Sequence, residues 1–115
     1  MQKLYSKNFF SHCPVETTLN LIGNKWKMLI VRDLLQEKRR FGELKKSISA
    51  TKNQTISQNV LTQNLRELES AGIVKRKIYA EVPPKVEYSL TPLGENLSAV
   101  LASLEHFGKE YQGHL

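Results

Sequence analysis

Cysteine occurs once in these 115 residues, at Cys13. No disulfide can close within the chain, and the composition fits a reducing compartment. Histidine occurs three times, at His12, His106 and His114, too dispersed for a metal site. The six glycines form no phosphate-cradling loop, and no serine, histidine and aspartate set or paired carboxylates can be argued. Neither catalysis nor a cofactor is therefore expected. Apolar residues never run long. The cleanest run, Met28–Val31, is far too short to cross a bilayer, and Met1–Phe10 lacks the apolar stretch of a secretory signal. A cytoplasmic chain with no membrane partner is expected. Aromatic residues make up only 8%, without an evident exposed platform for stacking RNA bases.

Cations are plentiful by contrast. Lysine and arginine number 17 against 11 acidic residues, a formal charge of +6. The excess is not evenly spread: residues 36–66 carry seven basic and two acidic groups, whereas residues 91–115 carry one and three. Such segregation favours a basic face that attracts a polyanion. A hydrophobic content of 40% suffices for one core, so residues 1–115 are read as a single domain.

Periodicity supplies the elements. Val15, Leu19 and Ile22 recur at helical spacing after Pro14, which suits a first helical position, and end at Gly23. Asn24 can cap a second helix, Lys25–Gln36, with Trp26, Leu29, Ile30 and Leu34 on its buried face. The basic connection Glu37-Lys38-Arg39-Arg40 leads to a shorter helix carrying Phe41, Leu44 and Ile48. Ser49–Gln54 is polar and aperiodic and is read as a loop. Thr55 with Gln58, or Ser57 alone, can cap the fourth helix, where Val60, Leu61, Leu65 and Leu68 share one side until Gly72. The period then changes to two. Val74 and Ile78, then Val86, Tyr88 and Leu90, alternate with polar residues around a Glu81-Val82-Pro83-Pro84 turn, predicting a hairpin. Thr91-Pro92 opens a last helix bearing Leu93, Leu97, Val100, Leu101, Leu104, Phe107 and Tyr111.

This order predicts an α+β fold, mainly α with a two-stranded β-hairpin: a winged helix-turn-helix. In such folds the second motif helix enters the major groove of DNA and the hairpin reaches the neighbouring backbone. The helix of about 57–71 has suitable residues. Asn59, Thr62, Gln63 and Arg66 fall at i, i+3, i+4 and i+7, opposite the leucines. Asn and Gln can bond adenine edges in pairs, Arg those of guanine, and Thr offers a hydroxyl and a methyl. Ser57 and Gln58 lie at the helix start, where amides and the dipole favour phosphate. On the wing of about 74–90, Lys75, Arg76, Lys77 and Lys85 are placed to contact phosphates, which position rather than specify. The expected partner is double-stranded DNA, bound as a homodimer on a palindromic site with half-sites roughly 34 Å apart. The long apolar stripe of about 92–111 suggests a partner subunit. The alternative is a winged-helix adaptor or antirepressor that binds protein instead. The basic middle segment argues against it.

Four stretches carry a resemblance: CPVETTLNLIGNKWKMLIVRDLL at 13–35, RRFGELKKSI at 39–48, ISQNVLTQNLRELESAGIVKR at 56–76 and VPPKVEYSLTPLGENL at 82–97. In this order they resemble the HxlR family, bacterial winged helix-turn-helix regulators. The resemblance implies a dimeric transcriptional regulator, more often a repressor, with first and last helices building the dimer. Leu97, Val100, Leu101, Leu104, Phe107 and Tyr111 are then interface residues. Two departures stand out. The family usually has glycine where Asn24 stands, and a tight proline-glycine turn where this chain has the longer Ser49–Thr55, whose Lys52 and Asn53 could add a backbone contact. Such an insertion is thermodynamically cheap, so the fold should survive it.

Cys13, directly before Pro14, is expected to cap the first helix. A thiol there is favoured as thiolate by the amide dipoles, while the Glu16 carboxylate opposes this. The resemblance implies a candidate sensor of oxidants or electrophiles, set against a small residue that merely packs.

Overall fold

The computed structural model describes residues 9–115. The Lys52 side chain and most of the segment read for a secretory signal lie outside that description. Among the described residues six helices and one hairpin follow in order: α1 Pro14–Ile22, α2 Lys27–Gln36, α3 Phe41–Lys52, α4 Gln58–Ser70, β1 Val74–Tyr79, β2 Lys85–Leu90, α5 Pro92–Glu95 and α6 Ser98–Gln112. Ile30 and Val31 of α2, Leu44 and Ile48 of α3, and Leu61, Leu65 and Leu68 of α4 form the core, closed by Ile56, Ile73 and Val74. Each set comes from one helical face, so burial follows the apolar period. Trp26 is buried in the same cluster, as a core anchor.

Pro14 opens α1, and extended Cys13 is its cap residue. Helix α2 begins two residues later than expected. Asn24 Oδ1 accepts from the backbone N–H groups of Trp26 and Lys27 at 2.9 and 3.0 Å, so Asn24 still serves the helix start.

The loop expected at Ser49–Gln54 is largely helix. Helix α3 runs on to Lys52 and stops at Asn53, whose φ of 52° is left-handed. Ser, Ala and Thr lack apolar period but do not break a helix, and Asn adopts the left-handed cap readily. A tertiary contact supports the extra turn: Arg32 Nη2 of α2 donates to Thr51 Oγ1 at 2.9 Å. Ser49 Oγ then accepts from the Ile56 N–H at 3.1 Å, tying the short connection down. The insertion thus lengthens α3 rather than opening a wide loop.

Helix α4 ends in a left-handed Gly72 (φ 79°), with the Ile73 N–H donating to the Leu68 carbonyl. The hairpin pairs antiparallel from Val74 opposite Leu90 to Tyr79 opposite Lys85. A third partner has no signature in the sequence: Arg39 and Tyr88 exchange backbone hydrogen bonds at 3.0 and 2.8 Å, so the basic connection pairs with the outer edge of β2.

The expected single last helix is two. Thr91 Oγ1 accepts from the Gly94 N–H and donates to the Gly72 carbonyl, fixing α5 against the end of α4. Gly94 packs so tightly that a Cβ would lie 2.2 Å from the Ile73 carbonyl oxygen. The chain turns at Asn96 and Leu97 before α6. A continuous apolar stripe cannot reveal this break, because both halves keep the helical period.

Candidate nucleic-acid interface

Ser57 is the cap of α4: its Oγ accepts from the Val60 N–H at 3.1 Å, which leaves its own O–H to donate outward. Beyond Gln58, the side chains of Asn59, Gln63 and Arg66 are exposed and Thr62 is half-buried. Leu61, Leu65 and Leu68 are buried on the opposite face. Val60, expected with those leucines, instead sits at the rim, 37% exposed.

Beneath the stripe lies a polar layer that periodicity does not reveal. Asn64 is buried in α4; it accepts at Oδ1 from Asn24 Nδ2 at 2.7 Å and donates to the Val60 carbonyl at 2.8 Å. One turn on, Lys27 Nζ donates to Glu67 Oε1 at 2.6 Å, with side chains only 6% and 19% exposed. Glu67 Oε2 in turn accepts from Gln63 Nε2 at 2.8 Å. A buried amide and a buried ammonium must find partners, and these two anchor α4 to the start of α2 at a fixed rotation. Asn24 therefore does what glycine cannot, since glycine has no side-chain amide to offer Asn64.

The hairpin divides its four cations. In the observed register Lys75, Lys77 and Lys85 share one face with Tyr79 and Glu87, while Arg76 lies on the other. Lys77 and Lys85 each place Nζ 4.8 Å from the centre of the Tyr79 ring. The Tyr79 hydroxyl donates to Glu87 Oε1 at 2.7 Å, and the Lys85 and Lys38 ammoniums approach the same carboxylate at 3.5 and 3.6 Å. That hydrogen bond, ahead of the two lysines, holds the Glu87 carboxyl below its ordinary range, against the opposing pull of desolvation; it also raises the Tyr79 phenol. Arg76 instead meets Glu69 of α4, Nε to Oε2 at 3.5 Å. The structure therefore brings Lys38, from the α2–α3 connection, to the lysine face and sets Arg76 apart. Alternation around the 81–84 turn carries the signal for that division; the approach of Lys38 has no local signature.

An exposed amide and guanidinium stripe beside a cationic hairpin is the geometry of helix-turn-helix proteins, and comparison with known proteins agrees. Residues 21–115 match the family described as HxlR-like helix-turn-helix. The chain belongs to that family. Its HxlR-like relatives include the HTH-type transcriptional regulator YdeP of Bacillus subtilis, 43% identical over 111 residues, covering 96% of this chain and 83% of YdeP. Among solved structures, the oxidised form of the redox regulator HypR is 43% identical with a TM-score of 0.76, covering 85% of this chain and 96% of that one. Diamide-treated YodB from B. subtilis is 34% identical with a TM-score of 0.70, covering 89% and 97%. The fold is thus the winged helix-turn-helix of the HxlR-like proteins, a family of transcriptional regulators rather than enzymes.

In this HxlR-like chain the thiol of Cys13 is exposed at the start of α1. Its backbone N–H donates to Ser11 Oγ, which itself donates to Glu16. Val15 and Leu19 of α1 are 67% and 58% exposed, and Leu104, Phe107 and Tyr111 of α6 are exposed too. Leu97, Val100 and Leu101 are half-buried, and no residue of α6 is fully buried. Among the described residues, no group of histidine, cysteine and carboxylate side chains could hold a metal ion, and no helix is long and apolar enough to cross a membrane.

Proposed function

We propose that this HxlR-like chain is a homodimeric, sequence-specific DNA-binding regulator, more often repressing than activating. Helix α4 reads the major groove through Asn59, Thr62, Gln63 and Arg66. Ser57 and Gln58 meet phosphate at its start, and the hairpin grips the adjacent backbone through Lys75, Lys77 and Lys85. Arg76 contributes there only after leaving Glu69. The observation that carries this reading is the exposed side-chain stripe of α4, held opposite three buried leucines with the lysine face of the hairpin following it in the chain. Two protomers pair through α1 and α6, whose exposed apolar residues are costly to leave in water, and isologous pairing makes the bound site palindromic. The exposed thiol of Cys13 supports control by an oxidant or electrophile, as do two structural relatives, one a redox regulator and the other a diamide-treated protein. With one cysteine per chain, the resulting disulfide joins two subunits or includes a small thiol.

Selection of bound sequences from random duplexes tests the reading. Wild type should enrich a palindrome. Arg66→Ala should cost about 1–3 kcal/mol on the selected site and relax preference at one base pair per half-site, while Lys77→Ala weakens all sequences alike. Diamide should change the affinity of wild type and leave Cys13→Ser unaffected. Identical profiles for Arg66→Ala and Lys77→Ala would end the division into readout and positioning, and identical responses to diamide would end the thiol switch.

A further inference from the structure

The hydrogen bond between Gln63 and Glu67 restricts what Gln63 can say to a base. A free glutamine presents its carbonyl or its amide nitrogen with equal ease, so it suits donor and acceptor edges alike. Here the orientation is set by chemistry. An ionised carboxylate only accepts, so the Gln63 amide must turn its nitrogen toward Glu67 Oε2, 2.8 Å away. The carboxylate cannot easily turn aside, because its other oxygen receives the Lys27 ammonium at 2.6 Å. Lys27 is buried, with its Nζ also 5.9 Å from the centre of the Phe9 ring. Releasing Glu67 would leave that ammonium buried without its carboxylate. The chain Lys27–Glu67–Gln63 therefore runs from the core out to the exposed stripe.

We propose that Glu67, held by Lys27, is a positioning residue that fixes the Gln63 amide with its carbonyl oxygen left for the groove, and so sets the base this side chain prefers. The inference rests on α4 being the reading helix. A presented carbonyl oxygen matches the edges that carry donors, the N4 amino group of cytosine and the N6 amino group of adenine.

Glu67→Gln reverses the chain without removing it. Lysine only donates, so the new amide gives its oxygen to Lys27 and its nitrogen to Gln63. Gln63 must then turn its own oxygen inward and its nitrogen outward. An outward donor fits the O6 and N7 acceptors of guanine and the O4 acceptor of thymine.

The test is selection of duplexes by the dimer in wild type, Glu67→Gln, Gln63→Ala and the double variant. In wild type, one position per half-site should favour cytosine or adenine. In Glu67→Gln that position alone should move toward the acceptor edges of guanine and thymine, by on the order of tenfold in relative affinity. In the Gln63→Ala background, Glu67→Gln should change no base preference. A shift that persists without Gln63, or an unchanged preference in folded Glu67→Gln, overturns the proposal while leaving α4 as the reading helix. Absence of any selected sequence for folded wild type overturns both. If Glu67→Gln does not fold, the paired replacement Lys27→Met with Glu67→Met removes the buried charges together. That variant should lose the preference at the same position, and retention of it would overturn the proposal.

Discussion

Three groups converge on the Glu87 carboxylate: the Tyr79 hydroxyl and the ammoniums of Lys38 and Lys85. Under the proposed grip of the hairpin lysines on the DNA backbone, this carboxylate is an internal stand-in for phosphate. A DNA backbone approaching the hairpin must compete with it for the lysines. Glu87→Gln should therefore tighten binding to all duplexes and steepen the salt dependence by about one phosphate contact, read in a salt titration. Weaker binding by Glu87→Gln would mean that the carboxylate orients the lysines instead of competing for them. The pH dependence has a definite sign. Because the folded carboxyl is held low, its contribution to hairpin stability is complete above the ordinary glutamate range and is lost as pH falls through the folded value. Hairpin amide exchange should quicken over that acidic interval in wild type and not in Glu87→Gln. Along the same hairpin, strand alternation already sets Arg76 opposite Lys75, Lys77 and Lys85, and the carboxylate that each face meets, Glu69 for Arg76 and Glu87 for Lys85, is decided by the fold.

At the scale of elements, two glycines make opposite predictions. A Cβ at Gly94 would meet the Ile73 carbonyl oxygen at 2.2 Å, a backbone atom that cannot step aside. Gly94→Ala should displace α5 and destabilise the protein by roughly 1–3 kcal/mol, measured by urea unfolding. Gly42, in the first turn of α3, has open space where a Cβ would stand, with nothing within 4 Å, so Gly42→Ala should stabilise by about 0.5–1 kcal/mol in the same measurement. Equal effects of the two substitutions would contradict the packing described for α5. The elements themselves are readable where apolar period or punctuation is strong. Pro14, Gly23, Gly72 and the Pro83-Pro84 turn mark boundaries that the structure keeps to within a residue or two. Legibility fails where period is absent or unbroken. Ser49–Lys52 continues α3 because Arg32 reaches Thr51, and α5 and α6 separate where Gly94 docks on Ile73. Both outcomes depend on a residue from another element.

For the whole molecule, the decisive surface is the apolar one on α6. Phe107 is 63% exposed, beside Tyr111 at a ring separation of 6.3 Å. Phe107→Asp should leave the fold intact, because this ring is not part of the core, yet it should split the proposed dimer. Sedimentation would then report a monomer, and affinity for a palindromic duplex should fall more than affinity for a half-site. A dimer that survives Phe107→Asp, with palindrome binding unchanged, would move the interface off this face of α6.

Sequence alone determined the order of the first four helices and the hairpin, and which α4 residues stand opposite its leucines. Period and handedness act over a few neighbouring residues and need no knowledge of the rest of the chain. Only the tertiary structure decided how α4 is held. Lys27 meets Glu67, and Asn24 meets Asn64, across 40 residues each, and Lys38 meets Glu87 from a separate connection. Such pairs form because packing the apolar faces leaves polar groups beside one another at the rim of the core. Which groups meet depends on crossing geometry that no local pattern encodes.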